Sequence, residues 1–258
     1  MVVEILAAGV LGLIFGSFGT VAAYRIPRRE TIVTGRSKCP NCGRQIKAVE
    51  NIPVLSYLAL RGKCPGCGVT ISPRYLLTEL VTGVLFALAV AEFGVTVTAG
   101  VYAAFFWVLV VLTAIDLEHK LLPNRVVYPT FVVGWVGLIA AALIDGDTGD
   151  LRRAAIGALV FGGFFFVVAF IYPAGMGGGD VKLAFALGSF LGFAGGVGAV
   201  VVGMFLSFLL GGVIGLIAMK ISGEGRKMQI PFGPFLALGS VIAVFVGDAL
   251  ASSYTNTL

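Results

Sequence analysis

The chain has 258 residues, of which 58% are hydrophobic and only 12% charged, with a formal net charge of +5. Its mean hydropathy of +1.01 lies far above that of soluble globular domains, which excludes a water-soluble enzyme or scaffold. A single histidine, His119, excludes a histidine-based triad and a multi-histidine metal site.

The expected fold is therefore an all-α polytopic membrane protein with about eight transmembrane helices and a small cytoplasmic insert resembling a zinc ribbon. Crossing a hydrocarbon layer takes about 20 apolar residues per helix. On that measure the spans fall at 3–24, 76–93, 98–115, 126–145, 154–173, 181–194, 196–219 and 231–250. The first run, Val2 to Tyr24, lacks the basic start and small-residue cleavage site of a removable signal peptide and reads as a retained helix. Spans six and seven meet in the glycine-rich stretch Leu191 to Gly198, which is either a turn or a helix kink. Three parts result: 1–24 as the first transmembrane helix, 25–75 as a polar four-cysteine module, and 76–258 as a transmembrane bundle.

Lysine and arginine concentrate on the cytoplasmic side of membrane proteins. With the module inside, only Arg152 and Arg153 of the 18 basic residues fall outside, beside Asp145, Asp147 and Asp150. Both termini then face outward. The positive charge is a topology signal, and a nucleic-acid partner is not needed to explain it.

The module holds Cys39 and Cys42 in "CPNC" and Cys64 and Cys67 in "CPGC", two Cys-x2-Cys knuckles. That pattern predicts one structural zinc ion with a closed shell of four thiolates and no open position for catalysis. Gly43 and Gly68 suit the tight turn behind each knuckle. Two disulfides or two redox-active pairs are the alternatives. A reducing compartment disfavours the first, and the short insert has no room for a thioredoxin-like unit.

Acidic residues within spans are informative because each costs roughly 2.5–3.5 kcal/mol at a helix centre on insertion scales. Glu4, Glu92, Asp145, Asp147, Asp150 and Asp248 fall near outer ends or in outer loops, where solvation explains them. Asp116 and Asp180 differ: one ends the third span in "LTAIDLEHKLLPN", the other opens the sixth in "MGGGDVKL". Both lie on the cytoplasmic side at similar depth, so they are candidates for a dyad that shares one proton. Such a pair activates water for attack on a peptide carbonyl without any cofactor. Alternatively Asp180 is an N-cap and Asp116 a boundary residue facing headgroups. Gly177, Gly178 and Gly179 favour the first reading for Asp180, because they let another backbone pass close by. Lys182 either offsets the carboxylate charge or snorkels to the interface. His119 reads as a solvated loop residue.

These segments, taken together, resemble the type IV prepilin peptidases, a bacterial family of GxGD-type intramembrane aspartic proteases. The similarity runs through "GSFGTVAAYRIP", the four-cysteine loop, "IDLEHKLLPN", "GGGD" and "PFGPFLALG", in order along nearly the whole chain. The resemblance implies Asp116 and Asp180 as catalytic residues, with Gly177 and Gly179 of the GxGD pattern in support; Lys182 is a supporting candidate from its place beside Asp180 alone. It implies prepilin or pseudopilin substrates held in the lipid bilayer and cut at the cytoplasmic face, after glycine and usually before phenylalanine. It also implies methylation of the new N-terminus from S-adenosylmethionine, and nominates Glu50, Asn51, Arg74, Tyr75 and Glu79 to bind that cofactor. The alternative role of those five is to anchor the loop against the membrane. The chain shows no Rossmann-like strand followed by a glycine-rich turn, so the cofactor site would be built from the loop and helix ends. Thr20, Leu76 and Asn124 stand where relatives commonly carry asparagine, proline and aspartate. The competing functional class is an ion-coupled transporter, whose broken helices also carry membrane carboxylates.

Overall fold

The computed structural model describes residues 1–33, 35, 37–145, 148–173, 176–222 and 230–255. Seven of its helices are long and apolar enough to cross a membrane, and the protein is a multi-pass membrane protein. In chain order they are α1 (Val2–Arg25), then after a 3-10 turn (Ala48–Asn51) and the short α2 (Leu55–Ala59), α3 (Pro73–Phe93), α4 (Val97–His119), α5 (Asn124–Asp145), α6 (Gly149–Ile171), α7 (Gly178–Ser222) and α8 (Gly233–Thr255). Arg36, Asp147, Arg226 and Lys227, which entered the topology argument, lie outside the described residues.

The spans expected at 181–194 and 196–219 form the single run α7, which breaks at two residues. Gly195 (φ −148°, ψ 21°) and Gly196 (φ 64°, ψ −157°) leave helical geometry and divide it into two helices. Of the two options for the glycine-rich stretch, the kink is the one adopted. A positive φ of that kind is costly for any residue with a Cβ, which is why the break falls on glycine. Counted as two, the halves of α7 bring the total to the expected eight.

Two helix ends differ from expectation. The third span does not stop at Asp116: α4 continues to His119, so the histidine lies in a last helical turn rather than in a loop. Backbone hydrogen bonding carries the turn onward, with Lys120 N donating to Asp116 O at 2.8 Å. Likewise α6 begins at Gly149, so Arg152 and Arg153 lie inside the helix.

The chain divides into two compact units, Met1–Ile115 and Asp116–Leu258. In the first, α1 packs tightly on α3: a Cβ at Gly16 would come within 2.6 Å of Glu79 Cα. Helices in lipid gain little from apolar burial against each other and rely on such close small-residue contact. Trp107 of α4 fixes α1 by donating its indole N–H to Phe15 O at 2.8 Å and by stacking on Phe18. In the second unit α7 packs on α6 and α8, with Phe161, Phe165, Leu187 and Leu191 fully buried. Gly157 of α6 and Gly188 of α7 meet backbone to backbone, leaving no space for a side chain at either position.

Candidate active site and metal-binding module

The second unit brings Asp116 and Asp180 together from the end of α4 and the start of α7. Asp116 is 5% exposed, and its Oδ2 accepts a 3.1 Å hydrogen bond from the backbone N–H of Gly233, the first residue of α8. Asp180 is half-buried and third in α7, inside the first turn rather than at the cap position. Its Oδ1 is buried with no hydrogen-bond partner among the described residues. Leu122 lies against the neighbours of both aspartates: a Cβ on Gly179, beside Asp180, would come within 2.8 Å of Leu122 Cβ, and one on Gly233, the donor to Asp116, within 3.3 Å of Leu122 Cδ2.

The three glycines before Asp180 have three different surroundings. A Cβ on Gly177 would lie 2.8 Å from Asp180 Oδ2, so any side chain there would press on the carboxylate. A Cβ on Gly179 would lie 2.8 Å from Leu122 Cβ, where the α4–α5 connection packs against α7. Only Gly178 faces open space. Clearance for a passing chain, the single reason expected from sequence, therefore suits Gly178; contacts within the protein account for the other two.

Lys182 does not pair with Asp180. Its Nζ donates to Asn124 Oδ1 at 2.9 Å and sits 5.0 Å from the centroid of the Tyr128 ring, tying the first turn of α7 to the first turns of α5. Leu122, Asn124, Tyr128 and Gly233 were not foreseen as site residues. Asn124 and Gly233 lie inside the quoted motifs, but nothing in their local spacing reveals a contact with residues 58 and 117 positions away.

In the first unit the four cysteines are free thiols whose sulfurs all lie within 4.8 Å of one another. A tetrahedral ion with metal–sulfur distances of about 2.3 Å needs sulfurs about 3.8 Å apart. The Cys39 and Cys67 sulfurs, 3.9 Å apart, match that edge, so the donor set fits a four-coordinate metal. The two knuckles are built alike. Cys39 N donates to Arg44 O and Gly43 N to Cys39 O, both at 2.9 Å; Cys64 N donates to Val69 O at 2.9 Å and Gly68 N to Cys64 O at 2.8 Å. Gly43 and Gly68 take φ values of 70° and 72°, as the tight turn requires. The backbone of Val69, followed by the Asn41 amide, pulls the Cys67 thiol down to about 6, while Cys42, despite the opposing backbone of Arg44, is pushed up to about 11 by burial and the neighbouring sulfurs.

Beside the knuckles is a cavity of about 460 Å³, within the range of small-molecule sites. Glu50, Asn51, Tyr75 and Glu79 line it, together with Cys39 and Cys64; Arg74, the fifth nominated residue, does not. Glu79 also anchors the loop, as its Oε2 accepts from Val54 N at 2.8 Å. Glu50 is engaged within the wall: Arg44 grips it with bonds of 2.7 and 3.1 Å, and Lys47 N donates to it at 2.9 Å. The Arg44 hydrogen bonds hold its carboxyl below the ordinary carboxylate range. Arg44, unforeseen from sequence, links the first knuckle to the turn carrying Glu50 and Asn51.

Residues 10–93 match the model of the Bacterial Peptidase A24 N-terminal domain, and residues 103–216 that of the Type IV leader peptidase family. A protein of Bacillus subtilis named prepilin leader peptidase/N-methyltransferase is 36% identical over 245 residues, covering 95% of each chain. Proteins of the same name from Stutzerimonas stutzeri and Pseudomonas aeruginosa are 34% and 35% identical, each over 97% of this chain and 93% of its own. No solved structure matches the chain. None of these similarities supports the ion-coupled carrier. With its two halves matching the two family models in order, and relatives aligning from end to end, the chain belongs to the type IV leader peptidase family.

Proposed function

We propose that the chain is an intramembrane aspartic peptidase that removes the leader of type IV prepilins or pseudopilins and then methylates the new N-terminus. The observation that carries the first activity is the convergence of Asp116 and Asp180 around Leu122 in one unit, with Asp180 Oδ1 making no hydrogen bond among the described residues. Of two carboxylates sharing a site, one is ionised and takes a proton from water as the water oxygen attacks the peptide carbonyl carbon. The other, protonated, gives its proton to the carbonyl oxygen. Collapse of the tetrahedral intermediate breaks the C–N bond, and the departing amine takes up a proton. The products are a leader ending in a carboxylate and a pilin with a free α-amine.

That amine is the acceptor for the second step, for which S-adenosylmethionine, when bound, supplies an electrophilic methyl group. Within the first unit's cavity, Tyr75 offers an aromatic face and Asn51 and Glu79 offer polar contacts for such a cofactor, while Glu50 shapes the wall. Cys39, Cys42, Cys64 and Cys67 would hold one zinc ion as a scaffold, since four thiolates fill a tetrahedral shell. The chain would work in a bacterial inner membrane with the module 25–75 and the carboxylates at the cytoplasmic face, the helix 1–24 and the bundle 76–258 in the bilayer, and both termini outward. The distribution of basic residues supports this orientation.

The test is to reconstitute the purified chain in vesicles with a prepilin bearing a basic leader, a glycine–phenylalanine junction and an apolar helix. Mass analysis of the product, with and without S-adenosylmethionine, should show the shortened pilin in both cases and its methylated form only with the cofactor. An uncut prepilin would overturn the peptidase, and a cut but never methylated one would overturn the second activity.

A further inference from the structure

We infer that Gly233 is a positioning residue: the opening of α8 holds Asp116 in place through a backbone N–H. The inference rests on the reading of Asp116 as half of the catalytic pair. The first amides of any helix have no partner inside it and are available to an outside acceptor. In α8 this supply is nearly exhausted. Phe235 N donates to Phe232 O at 3.0 Å, Leu236 N donates to the same oxygen at 3.1 Å, and Pro234 has no N–H. Among the first three residues of α8, Gly233 alone has a free donor, and it goes to Asp116 Oδ2 at 3.1 Å. The "PFGP" sequence thus presents one donor to one oxygen.

Position 233 must also lack a side chain. A Cβ there would lie 2.7 Å from Asp116 Oδ2 and 3.3 Å from Leu122 Cδ2. Leu122 is the residue that Gly179 packs against, so Gly233 and the first turn of α7 both take their register from one leucine. The turn before α8 is held from behind. The Phe232 ring packs against Phe165, Phe208 and Phe235, with centroids 6.1, 5.5 and 6.3 Å away. These contacts set where the N–H points. With Oδ2 occupied, Asp116 Oδ1, which makes no hydrogen bond among the described residues, is the oxygen left for water.

Two substitutions add the same Cβ and differ in the donor. Gly233→Ala keeps the N–H and pushes a methyl onto the carboxylate; Gly233→Pro adds a Cβ as well and also deletes the N–H, at a first helical position where proline is tolerated. Cleavage of the same prepilin by the full-length protein should lose about 10-fold in kcat in Gly233→Ala and about 100-fold in Gly233→Pro, with KM close to wild type in both. Thermal midpoints should match wild type, as should activity in Gly163→Ala, a control in α6 whose added Cβ meets nothing within 4 Å. Equal kcat in the two variants would overturn the inference, as would wild-type kcat in Gly233→Ala or a kcat loss that merely follows a lowered thermal midpoint. Gly233→Ala decides the question if the proline variant does not accumulate, because wild-type activity there is incompatible with a carboxylate held at that distance. Asp116→Asn, run alongside, keeps the two readings apart. If it abolishes cleavage while both Gly233 variants are unaffected, only the positioning role fails; if it cleaves normally, the catalytic reading of Asp116 fails first.

Discussion

The two units assemble their functional groups over very different lengths of chain. In the first, the cysteine module is made of near neighbours. Each knuckle closes within six residues, and the pair is copied almost bond for bond at 39–44 and 64–69. In the second, the carboxylate site joins residues 116, 122, 180 and 233, and the hydrogen bond to the Asp116 carboxylate spans 117 positions. A local site can be specified by spacing and completed by a metal. A distributed site depends on helix packing, and its tolerances are set by whatever holds the helices in register. The difference predicts which changes are absolute and which are graded.

The sharpest break is at the carboxylates themselves. Asp116→Asn and Asp180→Asn each remove a proton carrier while keeping size, and each should lower prepilin cleavage by about a thousandfold or more. Binding of S-adenosylmethionine, measured by calorimetry on the same proteins, should be unchanged if the cofactor belongs to the first unit's cavity. A loss of cofactor affinity in either variant would show that the two sites are not separable.

The reverse experiment acts on the module. Replacing Cys39 and Cys64 by serine removes half of a tetrahedral shell whose metal, in small zinc domains, contributes about 10–16 kcal/mol of apparent binding free energy that doubles as folding free energy. Elemental analysis should then show zinc falling from one equivalent to near zero. Limited proteolysis should cut within 25–75, and cofactor affinity should drop, because both cysteines wall the cavity. Cleavage should stay near wild type. Full zinc occupancy in the double variant would remove the metal assignment.

A graded effect is expected at the glycines, where the distributed site shows its tolerances. Gly177→Ala puts a methyl 2.8 Å from Asp180 Oδ2, and Gly179→Ala puts one 2.8 Å from Leu122 Cβ; each should cost about 10- to 100-fold in kcat through displacement of a reacting group. Gly178→Ala meets nothing within 4 Å of the protein, so its cost should be the smallest of the three and should appear in KM, where a passing substrate would be felt. Equal losses at all three positions would mean that the glycines serve backbone flexibility instead.

The same contrast explains what was legible in the sequence. The spans, the paired knuckles and the choice of Asp116 and Asp180 as the unusual acids follow from hydropathy, spacing and the cost of charge in lipid, all of which are properties of single segments. The kink at Gly195–Gly196 was readable as one of two options, because glycine permits both a turn and a break and only packing selects between them. The extension of α4 to His119 was not readable, since "DLEH" has no stop signal and tertiary context decided how far the helix ran. The partners of Lys182 and Asp116 were hidden for a stronger reason. Asn124 is an ordinary polar residue, and at Gly233 the working group is a backbone amide that every residue except proline carries. No side-chain pattern announces a main-chain donor. The division of labour among Gly177, Gly178 and Gly179 was hidden likewise, because it depends on which neighbour each Cα faces.

The smallest expected effect lies in the module, at the Arg44–Glu50 pair, and it tests whether the first unit is as local as it looks. Glu50 sits below its ordinary value of 4.5 because Arg44 and then Lys47 N hydrogen-bond to its ionised form. A depressed carboxyl contributes stability that is fully present above the unfolded value and is lost as pH falls through the lower folded one. The window therefore lies below 4.5, and at neutral pH the pair is intact. The reporter is the Lys47 amide, which donates to Glu50 Oε2. Its hydrogen-exchange protection, corrected for intrinsic rate, should fall as pH drops through that window in the wild type. In Glu50→Gln it should be weaker at neutral pH and nearly flat with pH, because the neutral amide cannot lose a charge. The change should stay within the turn 47–51 and leave zinc content and cleavage alone, since the pair is only partly buried and such pairs contribute little. If protection changed across the knuckles as well, the module would be a cooperative unit in which Arg44 couples the metal to the cavity wall, and the contrast between a local and a distributed site would have to be redrawn.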